Sequence, residues 1–237
     1  MALGCPTAPN DAALLDVTLE ELPAKTRFIR FHSPSRAAVS FNPNVSRSGE
    51  PSRMERAEDG SRFNPFPGFP HTNVSTLYAG STEHSAALES VFHDVSHTPG
   101  PTYPSQGLDQ FVMSTMTLTR PLKVLRLVND QLRQISVPGR ATSLLKAELI
   151  HSSPSDYPAT RRWANYFYQC LPDTAGLAWR PRLGGEGTAY ILFGDRVSPA
   201  DFSPPSDPLI ISSGPGRDMI ETIAGDAHIV IIDTARS

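Results

Sequence analysis

Val74-Ser75-Thr76-Leu77-Tyr78-Ala79-Gly80, followed at once by Ser81-Thr82-Glu83-His84-Ser85-Ala86-Ala87-Leu88-Glu89, is the stretch that decides how this chain is read. Its first seven residues are mostly β-branched, aromatic or small and predict a strand. Ser81 is placed to cap a helix, and Glu83 falls in the first turn, where the helix dipole favours negative charge. Ala87, Leu88, Val91, Phe92 and Val95 recur on one side, so the helix is expected to run from Ser81 to about Val95 with that stripe buried. Glu89 flanks the stripe, a position from which a carboxylate reaches a cleft.

Upstream, Thr26-Arg27-Phe28-Ile29-Arg30-Phe31-His32 predicts a half-buried strand, although Phe28, Ile29 and Phe31 cannot all share one face. Leu14, Leu15, Val17, Leu19 and Leu22 predict an amphipathic helical arm over residues 12–22, ended by Pro23. Residues 33–72 are rich in Ser, Pro, Asn, Gly and Arg and read as one long irregular segment, a length that usually means function or mobility. The 23 prolines, about twice the usual share, fit long loops.

Downstream, strands are expected over 110–118, 122–127, 176–179 and 189–193, the last two joined by the Gly-rich residues 183–187, and helices over 142–149 and 159–171. The tail reads as strand 209–211, helix 216–223 and strand 228–232. The expected elements are a mixture of strands and helices, with no internal repeat. At 237 residues, one elaborated domain is the default expectation.

A net charge of −3 and a pI near 6.2 give no general pull toward nucleic acid or an anionic membrane, while leaving room for a local basic pocket. Cys5 and Cys170 form no spacing pattern for a disulfide framework or a zinc site. The N-terminus lacks a basic segment followed by an apolar run, and no stretch approaches the ~18 apolar residues of a membrane span. A cytoplasmic protein is the expectation.

Three patterns then occur in order: Phe28-Ile29-Arg30-Phe31-His32, Gly60-Ser61-Arg62-Phe63-Asn64-Pro65, and Leu77-Tyr78-Ala79 with Ala86-Ala87-Leu88-Glu89. Asp156-Tyr157-Pro158-Ala159-Thr160-Arg161-Arg162-Trp163-Ala164, Gly176-Leu177-Ala178-Trp179-Arg180-Pro181-Arg182 and Ile191-Leu192-Phe193-Gly194-Asp195-Arg196-Val197 follow. Together they resemble the RES domain family over roughly residues 26–197, with a helical arm before that core and a strand–helix–strand extension after it.

The resemblance implies an α+β class with an ADP-ribosyltransferase-like fold, a split and bent β-sheet with flanking helices, and an enzyme that consumes NAD as its substrate without a metal. It also implies a toxin of a toxin–antitoxin pair, with an Xre-like antitoxin protein as partner and, where ADP-ribose is transferred, a protein acceptor. Direct binding of nucleic acid or membrane is not expected. The family's serine falls on Pro181, so a hydroxyl toward substrate would have to come from Thr160, Ser152 or water.

Cleaving the nicotinamide–ribose bond builds positive charge on the sugar, as in glycoside hydrolysis. Glu89 is the expected stabiliser of that charge. Tyr78 offers a face for the flat leaving group. Arg30 is the first choice for the pyrophosphate and Arg62 the second, since a guanidinium donates several hydrogen bonds at once. His32 is expected on the adenosine side and Thr160 beside the bound NAD. Glu89, Arg30 and Tyr78 are therefore the expected catalytic set, and Arg30, His32, Arg62, Tyr78 and Thr160 the NAD-binding set. Glycohydrolysis, phosphorolysis and ADP-ribosyl transfer differ only in the acceptor and are not separable in the sequence. The alternative is a pseudo-enzyme that binds NAD without consuming it.

Other motifs carry less. His93-Asp94-Val95-Ser96-His97 is a near miss to a zinc-protease helix, with Asp one methylene short of the required Glu, and reads as a polar helix end. Ser213-Gly214-Pro215-Gly216-Arg217 lacks the ending of a phosphate-binding P-loop and reads as a helix entry. No Gly-x-Ser-x-Gly elbow supports a serine hydrolase.

Overall fold

The computed structural model describes residues 5–9, 15, 17–44, 61–65, 74–95, 100–137, 139, 141, 143–144, 146–152, 154–181 and 186–233. The strands are β1 (Leu19–Leu22), β2 (Arg27–His32), β3 (Thr76–Gly80), β4 (Thr102–Pro104), β5 (Val112–Thr117), β6 (Leu122–Arg126), β7 (Gly176–Trp179), β8 (Ala189–Phe193), β9 (Leu209–Ile210) and β10 (Val230–Ile232). The helices are α1 (Glu83–Leu88), α2 (Asn129–Leu132), α3 (Lys146–Ile150), α4 (Tyr157–Cys170) and α5 (Gly214–Asp226).

The expected α+β class is borne out by an eight-stranded sheet in the order β1-β6-β7-β8-β3-β2-β5-β9 with helices beside it. Its neighbours run antiparallel except for β6 and β7. A separate parallel pair joins β10 to β4.

Because side chains alternate along a strand, the two faces of the sheet are built from different residues. Phe28, Leu77, Ala79, Ala178, Tyr190 and Leu192 form the core on one face. On the other, Leu177, Trp179 and Ile191 pack against Trp163 and Phe167 of α4, while Ile29 and Phe31 pack beneath Ala86, Ala87 and Leu88 of α1 and Ile220 and Ile223 of α5. Ile29 pairs with Gly80, and continuing that antiparallel register sets Phe31 opposite Tyr78. Tyr78 therefore emerges between the α4 core and the α1 core.

Two expected helices are corrected. Residues 19–22 form β1, with Leu19 opposite Leu125 and Leu22 opposite Leu122, so pairing with β6 overrides the helical pattern. Residues 12–14 and 16 of that expected arm lie outside the described residues. The helix after β3 is capped by Thr82, not Ser81, and stops at Leu88. Thr82 accepts a bond from the Ser85 amide at 3.0 Å, and the Ser85 hydroxyl returns one with the Thr82 amide at 3.1 Å, a reciprocal cap. At the other end the Ser90 hydroxyl donates to the Ala86 carbonyl, taking an acceptor that a continuing helix would use. Ala87, Leu88, Val91, Phe92 and Val95 are nevertheless all buried, as expected.

The turn into α1 is tight. A Cβ on Gly80 would lie 2.4 Å from the Ala86 nitrogen, so only glycine lets α1 fold back onto β3.

Candidate functional site

Tyr78 leaves the middle of β3, and Glu89 closes the C-terminal end of α1. Between them lies a cleft of about 210 Å³, lined also by Ser61, Arg62, Ser90, His93 and Tyr157. Arg62 Nη1 stands 3.6 Å from Glu89 Oε2, with only 8% and 10% of the two side chains exposed. The Arg62 guanidinium carbon sits 5.5 Å from the centre of the Tyr157 ring and 6.0 Å from that of Phe63. A cation over aromatic faces at this range gains electrostatic attraction. The Arg62 Nε–H is buried and has no partner among the described residues.

The Tyr78 hydroxyl accepts a hydrogen bond from the Phe63 amide at 3.3 Å, and its ring meets Trp179 edge-on at 6.0 Å. Burial pushes its pKa up to about 12, with nearby Glu89 acting in the same direction and Ser61, Phe63 and Arg62 opposing. Tyr78 is therefore a neutral phenol at any working pH, suited to stacking and hydrogen bonding and not to proton removal.

The short segment carrying Ser61, Arg62 and Phe63 is held from α4. Thr160 Oγ1 donates to the Arg62 carbonyl at 2.7 Å, with the Tyr157 carbonyl as a second acceptor at 3.1 Å, and Arg161 Nε donates to the Ser61 carbonyl at 2.9 Å. Thr160 and Arg161 are both fully buried. Thr160 thus lies behind Arg62, positioning it, and is not part of the cleft lining.

Arg30 and His32 stand on the other face of the sheet, alternating with Ile29 and Phe31. Arg30 is buried and donates to the Ala38 carbonyl and, at 2.6 Å, to the Ser40 carbonyl. Burial, reinforced by Arg36, lowers its pKa to about 10, which leaves it charged at neutral pH. His32 Nε2 bonds Ser114 Oγ at 3.0 Å, and burial lowers its pKa from the ordinary value. Of the expected residues, the fold brings together Glu89, Tyr78 and Arg62 and sets Arg30, His32 and Thr160 apart from their cleft. Ser152 donates its hydroxyl to the Leu149 carbonyl at 2.8 Å, and Pro181 is buried.

Among the described residues, no group of three or more His, Cys, Asp or Glu is arranged to hold a metal ion, and no helix is long and apolar enough to cross a membrane. His93, which the sequence presented only as part of a failed metal motif, lines the cleft, with Nε2 3.0 Å from Asp94 Oδ1. Tyr157 was visible only as one aromatic residue in a longer segment.

The family model of the RES domain matches residues 27–210. The chain belongs to the RES domain family. The resemblance read from the motifs is borne out, and the matched region contains every residue of the RES cleft named above. No match is found among curated proteins. Among solved structures, the crystal structure of the M. tuberculosis MbcT-MbcA toxin-antitoxin complex is similar at 14% identity, covering 80% of this RES chain and 85% of that chain with a TM-score of 0.48.

Proposed function

We propose that this RES protein cleaves NAD at the bond between nicotinamide and ribose, and that Glu89, Tyr78 and Arg62 carry the reaction. The observation that supports this most is the buried Arg62–Glu89 pair at 3.6 Å beside Tyr78 in one cleft. A carboxylate held in place by a guanidinium keeps its charge ready for the oxocarbenium-like ribose without reorganising during the reaction. The C1′–N bond breaks with its electron pair returning to the nicotinamide ring, which thereby loses its positive charge. The acceptor, whether water, phosphate or a protein side chain, then bonds to C1′ and releases a proton.

The cleft volume of about 210 Å³ is smaller than the roughly 300–1,000 Å³ of a site for a drug-sized ligand. It therefore suits one end of the dinucleotide, the nicotinamide riboside, with Tyr78 or Tyr157 against the ring. Family membership supports the wider reading of a cytoplasmic toxin restrained by an antitoxin of the Xre-like kind.

Purified protein incubated with NAD, with and without phosphate, should release free nicotinamide, and Glu89→Gln should abolish most of it while remaining folded. A phosphate requirement would name the acceptor. Full turnover in a folded Glu89→Gln protein would overturn the assignment, and NAD binding without release would favour the pseudo-enzyme.

A further inference from the structure

A second depression, about 440 Å³, opens where β6 and β7 end and β8 begins, lined by Arg126, Lys146, Trp179, Arg180 and Thr188 and by one carboxylate, Glu186. Its cations are not equivalent. Arg126 Nε is held 3.1 Å from Glu20 Oε2, and its Nη2 donates to Thr188 Oγ1 at 3.2 Å. Lys146, at the start of α3, has no carboxylate partner among the described residues. Its pKa is lowered, first by burial and then by the positive charge of Arg180. Two like charges are thus kept close enough to repel, an arrangement that an anion between them would relieve.

A third feature is independent of charge. Trp179 is 1% exposed, lines this groove, and its indole Nε1–H is buried with no partner among the described residues. An indole nitrogen is a donor only, and leaving a buried donor unsatisfied is unfavourable. Two cations beside an orphaned donor make a site for a ligand that is anionic and rich in acceptors.

We propose that the Lys146–Arg180–Trp179 groove is a binding subsite for a phosphoryl group. Phosphate oxygens accept from guanidinium, ammonium and indole N–H together, which a carboxylate does less completely. The Trp179 ring also meets Tyr78, so the groove adjoins the Glu89 cleft through two touching aromatic rings. The group is either the pyrophosphate of a dinucleotide reaching past Trp179 or a free phosphate. Occupancy does not require NAD cleavage at Glu89.

The test is calorimetric titration of the full chain with inorganic phosphate, inorganic pyrophosphate and NAD, comparing the natural protein with Lys146→Gln/Arg180→Gln. Arg180 is exposed and Lys146 partly so, which spares the core; Arg180→Glu alone serves should the double variant fail to fold. The Kd for phosphate or pyrophosphate is expected to rise at least ten-fold, while Lys25→Gln/Arg36→Gln, removing two exposed charges elsewhere, changes it less than two-fold. A parallel rise for NAD identifies the dinucleotide's own pyrophosphate as the occupant, and an unchanged NAD affinity identifies a free phosphate. The proposal is overturned if the Lys146 and Arg180 substitutions leave both inorganic anions unaffected, or if the Lys25 and Arg36 substitutions weaken them equally.

Discussion

Arg62 and Glu89 face each other at 3.6 Å with both side chains about nine-tenths buried. Removing one partner of such a pair strands the other charge away from water, at a cost of about 3–5 kcal/mol, whereas removing both is often nearly neutral. Arg62→Met should therefore destabilise the protein by about 3 kcal/mol, and Arg62→Met/Glu89→Gln should recover most of that loss. Urea unfolding of the four members of this cycle measures it; additive losses would show that the two charges do not act as a pair.

Thr160→Val keeps the shape of the side chain but leaves the Arg62 carbonyl without the donor now 2.7 Å away. A loss of about 1–2 kcal/mol in stability is expected. Because Thr160 only positions Arg62, nicotinamide release should fall less than in Glu89→Gln. Equal loss of turnover in the two variants would place the Thr160 hydroxyl in the reaction itself.

Arg30 ties β2 to the carbonyls of Ala38 and Ser40 on the face of the sheet away from Glu89. Arg30→Met is expected to lower stability by about 1–3 kcal/mol by leaving those bonds unmade, and to affect turnover per folded molecule less than Glu89→Gln does. Activity assayed well below the melting temperature separates these effects. Abolished turnover in a fully folded Arg30→Met protein would return Arg30 to the site.

The Arg120 guanidinium holds the Asp201 carboxyl below its ordinary pKa, helped by the Ser198 amide at 2.8 Å. A carboxyl lowered by folding stabilises the native state fully above its unfolded pKa near 3.8, and that contribution disappears as pH falls through the lower folded value. The stability gap between the natural protein and Arg120→Gln should thus be constant near neutrality and close below about pH 4. Thermal melts across that range give the answer, and a gap that widens in acid would contradict the pairing.

Burial raises the pKa of both cysteine thiols, that of Cys5 to about 12 with Asp156 and Glu148 adding to the effect. The thiolate is the reactive form, so neither cysteine should react quickly with a disulfide reagent at pH 8 until the protein is denatured.

The parts legible in the sequence were those set by local pattern. β2, β3, β8 and α4 announce themselves by alternation or a helical stripe, and Tyr78 and Glu89 follow from the strand-to-helix turn that Gly80 permits. What failed was decided by distant partners. Residues 19–22 look helical until β6 is there to pair with them, and the helix stripe runs on to Val95 even though a Ser90 hydroxyl has already ended the helix. Arg30 ranks ahead of Arg62 in the sequence, whereas the fold sets Arg62 beside Glu89 and ties Arg30 to the carbonyls of Ala38 and Ser40. Only the face of β2 on which Arg30 stands separates them, and alternation along a strand does not say which face carries the cleft. Thr160 is marked by its motif, but the bond of its buried hydroxyl to the Arg62 carbonyl leaves no trace in spacing.

The match to the RES domain ends at residue 210, just before α5, yet Ile220, Ile223 and Ala224 of α5 share one hydrophobic cluster with Ala86, Ala87 and Leu88 of α1. A chain cut at that boundary would keep Arg62, Tyr78 and Glu89 and lose the buttress behind the helix that aims the carboxylate. The packing that supports Glu89 thus reaches beyond the stretch that matches the family.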